Sequence, residues 1–448
     1  MRDYTSRHGS DDQSIVLIAY HFPPDPAVGS QRAGKVARAF RDAGYRVDVV
    51  TAQLPGEELR PRRMKDPALV VHPVRLLPSP RELVARLNVL LSPRLPSPRG
   101  IDHDTQRCWV PPTQIAGWKR LLFSLLWLPD DRQGFILPAW RKARSLVRAG
   151  ARLVYSTAPP YSPHLVALAL KSITRVRWVM ELRDPWADND QKPSWVRTRA
   201  IDAVDARLER LCLRSADLVV AVSDGIGRRL AQRLSLQDAS RLLVVRNGID
   251  HLSDSTRSRR NSGPLRITYA GTFYYGRDPR PFLRGLAAVC RKQRLGAAQV
   301  RVDFLGACRS IGAVSVQKEI DALELTDVVQ IHDWLPQATA KAFVDEADVL
   351  LLLAQQQPDQ VPNKLYEYLG TRRPILAFAD KGGETARMLQ RVGGHYVITR
   401  EDEVEVERVL RELITCAGCG SWVEMDETVL KEWTTEAQMK NLLMAAHE

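Results

Sequence analysis

The feature that most constrains the fold is an alternation of short apolar runs with amphipathic helical stretches. Residues 15–20 (IVLIAY) and 45–52 (YRVDVVTA) have the composition of buried strands, and QRAGKVARAFRDAGY between them has helical apolar spacing. A strand, a helix and a second strand in this order predict a βαβ unit with a parallel sheet. We therefore expect an α/β protein.

The alternation continues to Asp250 and begins again after an interruption. Residues 251–264 (HLSDSTRSRRNSGP) are polar and rich in charge, which is typical of a linker. Beyond them, strand-like runs such as LRITYAG, QVRVDFLGA and ADVLLLLA alternate once more with helical stretches. Two similar α/β halves joined by a short linker imply a cleft between them. We predict two Rossmann-like domains, residues 12–250 and 265–425, that face each other across this cleft.

The composition excludes a membrane-spanning or small secreted protein. The chain is 44% apolar and 26% charged, as soluble globular proteins are. The longest early apolar run, residues 15–20, is far shorter than the roughly 20 residues that a spanning helix needs. The acidic residues just before it do not suit a signal peptide. We therefore expect a cytoplasmic location, with a peripheral position at the inner face of the cell membrane as an extension of it.

The basic charge is confined to the first half of the chain. Residues 1–250 hold 40 Lys and Arg against 25 Asp and Glu, a net charge of +15, whereas residues 251–448 hold 25 against 27, a net charge of −2. A localised positive field attracts phosphates, whether on nucleic acid, on an anionic membrane or on a lipid diphosphate. The alternative is a basic surface that only keeps the protein in solution.

One segment of the first half could contact a membrane. Residues 117–129 (GWKRLLFSLLWLP) are strongly apolar with a basic start, and WRKARSLVRAG soon after them is basic and amphipathic. Such a segment could lie in a membrane interface. Thirteen residues of this kind also suit a buried helix of the first domain, so both interpretations stand.

Residues 29–36 (GSQRAGKV) imitate the phosphate loop GxxxxGK[ST] but depart from it twice. Val36 offers no hydroxyl for magnesium, and eight residues with three prolines separate the first strand from Gly29. ATP or GTP hydrolysis is therefore not expected. Gly29 keeps another use, because a glycine at a strand-to-helix turn lets a ligand phosphate approach backbone N–H groups.

No short spacing makes a strong case for a metal. The triplets Asp102-His-Asp104 and Asp188-Asn-Asp190 could hold a divalent cation against a diphosphate, but nothing around them resembles a coordination set. The pair in Cys416-Ala-Gly-Cys419 lacks a second pair or a thioredoxin-like context. We expect neither an essential metal nor a bound cofactor.

The sharpest signal lies in residues 347–384, where a strand, a polar loop, a helix and another strand follow one another. The helix is predicted to begin near Asn363 and to end at Gly370. Asp359 in the loop and Glu367 on the helix are eight positions apart, so both could reach one ligand at the carboxyl ends of the strands. A carboxylate there can bind vicinal hydroxyls with both oxygens, as carboxylates do for ribose.

The ordered motifs of the chain resemble those of family 4 retaining glycosyltransferases with two Rossmann domains (the GT-B fold). More narrowly, the chain is similar to bacterial members that build polysaccharides or the cell envelope. The resemblance covers nearly the whole chain except residues 55–145. It rests on the runs YHFPPDPAVGSQRAGKVARAF, STAPPYSPH, ELRDPW, VVRNGID, YAGTF, VDFLG and PNKLYEYL. It also implies that the C-terminal helix, within residues 426–448, returns to the first domain.

The resemblance assigns donor roles to the two acidic residues. The family's E-x7-E motif falls on Asp359 and Glu367, so aspartate replaces its first glutamate. Glu367 is implied to bind the nucleotide ribose. Asp359 is implied to contact the donor sugar, with a shorter side chain than the family uses.

The resemblance also points to cations for the donor diphosphate. The family places an arginine just after the glycine of the first strand of the second domain, and a lysine five residues later. Here the glycine is Gly271, and the two cation positions hold Thr272 and Arg277. The first cation is thus absent, because Thr272 replaces the arginine, and the second is retained, because Arg277 replaces the lysine. Arg280 or Lys364 could compensate for the loss.

Three candidates lie in the first domain. The backbone at Gly29 is implied to approach the donor phosphate or the acceptor. Asp184, in ELRDPW, directly follows a strand and is the candidate for acceptor orientation or general-base work; the alternative is an aspartate that caps the turn ahead of Pro185. His164 follows two prolines at the start of a helix, where a catalytic role and a purely hydrogen-bonded role are both open.

The function expected from the sequence is glycosyl transfer with retention of configuration. The donor is a nucleotide sugar and the acceptor a glycan or a lipid-linked sugar, in cell-surface polysaccharide synthesis. Two alternatives belong to other classes. One is a sugar-nucleotide epimerase on the same fold. The other is a nucleic-acid-binding protein, which would need aromatic residues interleaved with basic ones, and no such module is present; no nucleic-acid partner is expected.

Overall fold

The computed structural model describes residues 13–64, 66–79, 82–83, 124–189, 198–234, 236–253, 263–274, 276–400, 402–419, 422 and 424–447. These residues form two compact units. The first unit is drawn from Met1–Val222, Ile226–Val245 and Met439–Glu448, and the second from Ser223–Gly225 and Arg246–Gln438.

Several sequence predictions fall on residues outside this description. They concern the triplet at 102–104, Asp190 of the second triplet, residues 117–123 of the apolar segment and residues 254–262 of the predicted linker. Among the described residues, no helix is both long and apolar enough to span a bilayer.

The first unit contains an eight-stranded sheet in the order β3-β4-β2-β1-β5-β6-β7-β8. All neighbouring strands are parallel except β3 and β4. Its strands are β1 (Ser14–Ala19), β2 (Arg46–Ala52), β3 (Arg62–Arg63), β4 (Leu69–Val74), β5 (Leu153–Ala158), β6 (Arg177–Leu182), β7 (Leu218–Ala221) and β8 (Leu242–Val244). The helices before residue 246 are α1 (Val28–Asp42), α2 (Ile136–Arg148), α3 (Ser162–Ile173), α4 (Arg199–Ser215), α5 (Asp224–Arg233) and α6 (Leu236–Ala239).

The second unit contains a six-stranded parallel sheet in the order β13-β10-β9-β14-β15-β16 and a small hairpin, β11-β12. Its strands are β9 (Leu265–Ala270), β10 (Val300–Leu305), β11 (Ser310–Ile311), β12 (Val314–Ser315), β13 (Val329–His332), β14 (Val349–Ala354), β15 (Ile375–Ala379) and β16 (Tyr396–Ile398). The later helices are α7 (Arg280–Gln293), α8 (Val316–Ala322), α9 (Gln337–Glu346), α10 (Asn363–Gly370), α11 (Glu384–Val392), α12 (Glu403–Cys419), α13 (Glu427–Glu432) and α14 (Thr435–His447).

Both sheets are apolar on both faces because helices cover each side. Successive side chains of a strand point to opposite faces. In β1, Ile15 and Leu17 join one core cluster and Val16 and Ile18 another. The run VLLLL of β14 (residues 349–353) divides in the same way between two clusters. The continuous apolar runs of the sequence are thus explained, and the prediction of an α/β chain with two Rossmann-like sheets is confirmed.

A buried ion pair joins helix α1 to strand β6 in the first unit. Arg32 Nε donates to Glu181 Oε1 at 2.9 Å, and Thr157 Oγ1 donates to the other carboxylate oxygen at 2.7 Å. Burial alone would raise the pKa of Glu181, but Arg32 and these hydrogen bonds hold it below its usual value. Loss of either charge would leave its partner buried and unpaired, which is strongly destabilising.

The two units have one buried polar contact in common. In the first unit an aspartate on β2 binds a histidine on β4, and in the second an aspartate on β10 binds a histidine on β13. The histidine Nε2 lies 2.7 Å from the aspartate Oδ1 in both pairs. The pairs are Asp48 with His72 and Asp303 with His332. The strand registers also agree: His72 lies opposite Val50, two residues after Asp48, and His332 lies opposite Leu305, two residues after Asp303. The same contact therefore fastens corresponding strands in the two halves.

We expect His72→Ala to lower the free energy of unfolding by about 2 kcal/mol, because the buried carboxylate of Asp48 loses a hydrogen-bond partner. Urea denaturation measures the change. His251→Ala, at an exposed histidine, is the control and should change stability by less than about 0.5 kcal/mol. Equal effects of the two substitutions would contradict a stabilising role for the Asp48–His72 pair.

Candidate functional site

The sheet of the second unit has its topological switch point between β9 and β14. The chain first adds β10 and β13 on one side of β9 and then crosses to place β14 on the other side. Open α/β sheets bind ligands at such a point, beyond the carboxyl ends of the strands. The loops that follow are residues 271–279 after β9 and residues 355–362 after β14. All the donor-binding residues predicted from the second half lie on these loops, at the start of α7 or on α10.

The strands β9 and β14 separate towards this edge. Their register includes only Val349 opposite Ile267 and Leu350 opposite Thr268. Beyond Thr268 the N–H of Ala270 has no partner on β14, and the hydroxyl of Tyr368 accepts its hydrogen bond at 2.9 Å. Since Tyr368 belongs to α10, this contact fixes the helix against the end of β9.

Helix α10 presents one exposed carboxylate on an otherwise buried stretch. Tyr366 and Tyr368 on either side of Glu367 are buried, whereas the Glu367 side chain is 47% exposed. Lys364 Nζ donates to Glu367 Oε2 at 2.5 Å, and Asn363 Nδ2 donates to Oε1 at 3.4 Å. The helix therefore holds the backbone of Glu367 in place and leaves about half of its side chain exposed, with each carboxylate oxygen hydrogen-bonded to a neighbour on the same helix.

Hydrogen bonds join the two loops into one rim. The side chain of Gln355 accepts from Asp278 N–H at 3.3 Å and donates to Asp278 O at 2.8 Å. Gln357 Nε2 donates to Gly276 O at 3.2 Å. The position of the 271–279 loop is thus fixed by residues that follow β14.

Gly271 and Thr272 follow β9 directly and are tightly packed. The hydroxyl of Tyr269 donates to Thr272 O at 3.0 Å, and a Cβ on Gly271 would lie only 2.9 Å from that hydroxyl oxygen. Gly271 N–H donates to Leu305 O at 2.9 Å. A side chain at position 271 would therefore displace the tyrosine that supports the loop.

The two arginines of this loop differ in what they bind. Arg280 makes a bidentate ion pair with Asp278, with Nη2 2.5 Å from Oδ2 and Nε 3.0 Å from Oδ1. Burial would raise the pKa of Asp278, but these bonds hold it below its usual value. Arg277 lies with its guanidinium 4.8 Å from the ring centre of Tyr274, and no described carboxylate pairs with it. Its buried Nε also lacks a hydrogen-bond acceptor in the described part of the chain.

Asp359 is half-buried in a loop that is held at several points. The backbone N–H groups of Gln356 and Gln357 donate to the carboxylate of Asp380 at 3.0 and 2.6 Å. Ser223, in the same unit, donates its hydroxyl to Asp359 O at 2.6 Å. Asp359 and Glu367 are therefore both at the carboxyl edge of β14, one before α10 and one on it.

The candidates of the first unit lie around its own switch point, between β1 and β5. Gly29 is in the first turn of α1, His164 is in the first turn of α3, and Asp184 follows β6, the strand next to β5. Asp184 is half-buried. Its proposed general-base role stays a prediction.

The space beside Gly29 is filled by the protein itself. A Cβ at this position would lie 2.7 Å from both terminal nitrogens of Arg183, whose Nη1 donates to Gly29 O at 2.6 Å. Arg183 also donates to the backbone carbonyls of Ala158 and Pro159. A side chain at position 29 would therefore have to displace the Arg183 guanidinium, and the approach of a ligand phosphate stays a prediction.

His164 lies in the core with no exposed surface. Trp178 Nε1 donates to Ser156 Oγ at 2.8 Å, and this hydroxyl lies 2.8 Å from His164 Nδ1. Burial lowers the pKa of His164 from its usual 6.5 to about 3. A ring that is neutral and enclosed favours the structural interpretation over contact with a substrate.

Two residues that the sequence analysis missed shape the first unit's switch point. The carboxylate of Asp130 accepts hydrogen bonds from Ser162 N–H at 2.8 Å and from Ser162 Oγ at 2.7 Å, at the N-terminus of α3. Arg183 is the second. Asp130 lies 32 positions before Ser162, so no local pattern could reveal its partner, whereas Arg183 stands beside Asp184 in ELRDPW.

Asp188 belongs to the second Asp-x-Asp triplet that was considered as a possible cation site. Its carboxylate makes an ion pair with Arg233, which also pairs with buried Glu209. In the described ranges, no group of three or more His, Cys, Asp and Glu side chains could hold a metal ion.

Solved structures with this fold define its class. A sucrose-phosphate synthase from Thermosynechococcus elongatus aligns over 97% of this chain and 96% of its own, with a TM-score of 0.58 at 14% identity. The Anabaena protein HepE, in a complex with UDP, aligns over 97% and 99%, with a TM-score of 0.61 at 13% identity. An alpha,alpha-trehalose-phosphate synthase (UDP-forming) from Burkholderia vietnamiensis aligns over 97% and 99%, with a TM-score of 0.55 at 11% identity. The fold is that of GT-B glycosyltransferases.

A family model matches the sequence of the first half. Residues 29–248 match the family model described as a glycosyl transferase 4-like domain. The chain carries this domain and is a glycosyltransferase, so the resemblance of its motifs to family 4 glycosyltransferases with the GT-B fold is confirmed. No curated protein matches the chain.

We expect the burial of His164 to make the first unit sensitive to acid. The folded pKa of about 3 lies below the unfolded value of 6.5, so the unfolded chain binds the proton more readily between them. This contribution to stability is complete above pH 6.5 and is lost as the pH falls, by about 2 kcal/mol at about pH 5.

The measurement is urea denaturation of the wild type and His164→Asn at about pH 7.5 and about pH 5. The variant should lose less stability on acidification than the wild type does, whereas the exposed-site variant His251→Asn should follow the wild type. Parallel pH profiles of wild type and His164→Asn would contradict the buried, neutral state of this ring.

Proposed function

We propose that the protein transfers a sugar from a nucleotide-diphosphate sugar, bound at the β9–β14 switch point, to a glycan or lipid-linked acceptor. The observation that supports this most directly is the placement of Glu367. It is an exposed carboxylate on a rigid helix at the edge where α/β sheets bind nucleotides. Arg277, a cation without a carboxylate partner among the described residues, lies on the loop joined to the same edge.

In this proposal Glu367 accepts hydrogen bonds from the two ribose hydroxyls. A carboxylate has two oxygens with free lone pairs, so it can bind vicinal hydroxyls in a bidentate way. Lys364 is partly exposed beside it and has a flexible side chain, so it can turn from Glu367 towards the diphosphate. The ion pair between them keeps both groups in place before the donor arrives.

The donor diphosphate gains negative charge as the sugar leaves. Preorganised cations aimed at that charge lower the barrier, and they act most strongly where water is excluded. Arg277 is the principal cation because no carboxylate in the described part of the chain neutralises it. Arg280 is bound by Asp278 and contributes less. This arrangement supplies the charge stabilisation from the protein's own residues.

The finer assignments rest on the family and on its structural neighbours. Retention of configuration comes from the resemblance to retaining enzymes, and a role in cell-surface polysaccharide synthesis from the same source. The HepE structures are complexes with UDP, with UDP-glucose, and with UDP and glucose, so a UDP-sugar is the first donor to test. Asp184 is proposed to orient the acceptor in the first unit.

We expect a thermal-shift panel of UDP-, GDP-, ADP- and dTDP-sugars to show one nucleotide that stabilises the wild type. Glu367→Ala should weaken its binding by about 10- to 100-fold, since a hydrogen bond to a charged group contributes about 1.5–3 kcal/mol. Glu412→Ala, at a carboxylate on α12 that makes an exposed ion pair, should bind like the wild type. If no nucleotide stabilises the protein, or if Glu367→Ala responds as the wild type does, the assignment of the donor site to Glu367 is wrong.

The two loop arginines provide a sharper test of the diphosphate. Arg277→Gln should raise the Kd for the nucleoside diphosphate by about 10- to 100-fold, because it removes an unneutralised cation. Arg280→Gln should change it by about threefold or less, because Asp278 already occupies that guanidinium. Isothermal titration of both variants measures the difference. Equal losses, or a larger loss for Arg280→Gln, would contradict the assignment of Arg277.

A further inference from the structure

A histidine and an aspartate are hydrogen-bonded to each other in the loop after β1, at the switch point of the first unit. His21 Nδ1 lies 2.6 Å from Asp25 Oδ2. The other carboxylate oxygen of Asp25 accepts a hydrogen bond from Ala27 N–H at 2.9 Å, and its backbone carbonyl accepts one from Ser30 Oγ at 2.6 Å. Asp25 is thus fixed at the start of α1, and it fixes the imidazole ring of His21 in turn.

This pair differs from the two aspartate–histidine pairs on the strands in the ring nitrogen that it uses. His72 and His332 bind their aspartates through Nε2, whereas His21 binds Asp25 through Nδ1. The side chain of His21 is 27% exposed, against 8% for that of His72. Nε2 of His21 is accessible and has no hydrogen-bond partner in the part of the chain that the structure describes.

Asp25 determines what this nitrogen can bind. A carboxylate only accepts hydrogen bonds, so Nδ1 of His21 carries the proton of the neutral ring. Nε2 then has a lone pair and accepts a hydrogen bond from a hydroxyl. A carboxylate orients the histidine of a catalytic triad in the same way. The loop after β1 therefore presents one hydrogen-bond acceptor of fixed orientation.

The end of the sheet sets the position of this acceptor. The carbonyl of Tyr20 accepts hydrogen bonds from Ala52 N–H at 3.2 Å and from Thr51 Oγ1 at 3.0 Å, so the chain is still held to β2 one residue beyond β1. His21 comes next, at the carboxyl edge. Asp184 follows β6, which is separated from β1 by β5 and lies about 10 Å from it at the usual strand spacing. His21 and Asp184 thus follow strands on either side of β5, at the point where open α/β sheets bind ligands.

We infer that His21 is a specificity-determining residue for the acceptor, and that its Nε2 accepts a hydrogen bond from a hydroxyl of the acceptor sugar. Asp25 is a positioning residue that keeps the ring in the accepting tautomer. The inference rests on the proposed function, because it assigns a role within the proposed transfer to an acceptor. It concerns recognition of the acceptor and adds no chemical step to the transfer.

Transfer to simple sugars tests the inference in the full-length protein. Release of nucleoside diphosphate is measured with the nucleotide sugar that stabilises the wild type, and with methyl glycosides of glucose, galactose, mannose and N-acetylglucosamine as acceptors. His21→Asn places an amide nitrogen where Nδ1 was, so it keeps the bond to Asp25 and loses Nε2. It should lower kcat/KM for the best of these acceptors by about tenfold, mainly through KM, because one hydrogen bond to the acceptor is lost.

Two further variants separate recognition of the acceptor from support of the loop. His21→Gln places an amide near the position of Nε2 and should stay within about threefold of the wild type, because its oxygen can accept the same hydrogen bond. Asp25→Asn offers an N–H to Nδ1, which moves the ring proton to Nε2, as the same change does in a catalytic triad. It should therefore lose as much as His21→Asn. If the pair only supported the loop, His21→Asn would behave like the wild type and His21→Gln would not.

His72→Asn is the matched control, because it changes a buried aspartate–histidine pair in the same unit and should keep the acceptor KM of the wild type. A wild-type kcat/KM in His21→Asn, or the absence of transfer from the wild type to any of these sugars, would overturn the inference. Unfolding midpoints near that of the wild type are required of the His21 and Asp25 variants. Asp25→Asn decides the matter if His21→Asn does not fold.

The nucleotide thermal shift separates this inference from the proposed function. The donor is proposed to bind to the second unit, so the His21 and Asp25 variants should keep the shift of the wild type. If no nucleotide shifts the wild type, the proposed function fails and this inference fails with it. If the shift is normal and the acceptor KM is the same in every variant, this inference alone fails.

Discussion

The hydrogen bond from Ala270 N–H to the Tyr368 hydroxyl is the contact on which the candidate site depends. Parallel strands that separate at a switch point leave backbone groups without ladder partners, and buried N–H groups need an acceptor. Tyr368 supplies that acceptor from α10, so the same contact that completes β9 also fixes the helix that carries Glu367. An accessible carboxylate on a fixed backbone is what selective recognition of ribose hydroxyls requires.

The two units are built alike but use their switch points differently. Both fasten corresponding strands with an aspartate–histidine pair. In the first unit, however, Asp130 binds the N-terminus of α3 and the guanidinium of Arg183 occupies the space beside Gly29. In the second unit, Glu367 stays exposed. This difference supports the proposal that the nucleotide sugar binds to the second unit and the acceptor to the first.

The net charge of the first half does not show which of its basic residues are available to a partner. The excess of +15 over residues 1–250 includes arginines that serve the fold, such as Arg32 in its buried pair with Glu181. Others, such as those of α2, have no carboxylate partner in the described structure. Only the second group is available to an anionic partner, so the same residue type stabilises the core in one place and forms a surface in another.

The sequence by itself determined the two α/β halves, because continuous apolar runs between amphipathic helices can be buried only in parallel sheets covered on both faces. It also placed Glu367 on a helix at the edge of its sheet, since strand, loop and helix are local in sequence. The tertiary structure alone decided which candidates are accessible. His164 and Glu367 both lie on helices next to a switch point, yet one is enclosed by tryptophans and the other faces outward. Burial depends on contacts between residues that are far apart in the chain. Asp130 and Arg183, for example, bind residues 32 and 154 positions away, and no local pattern contains that information.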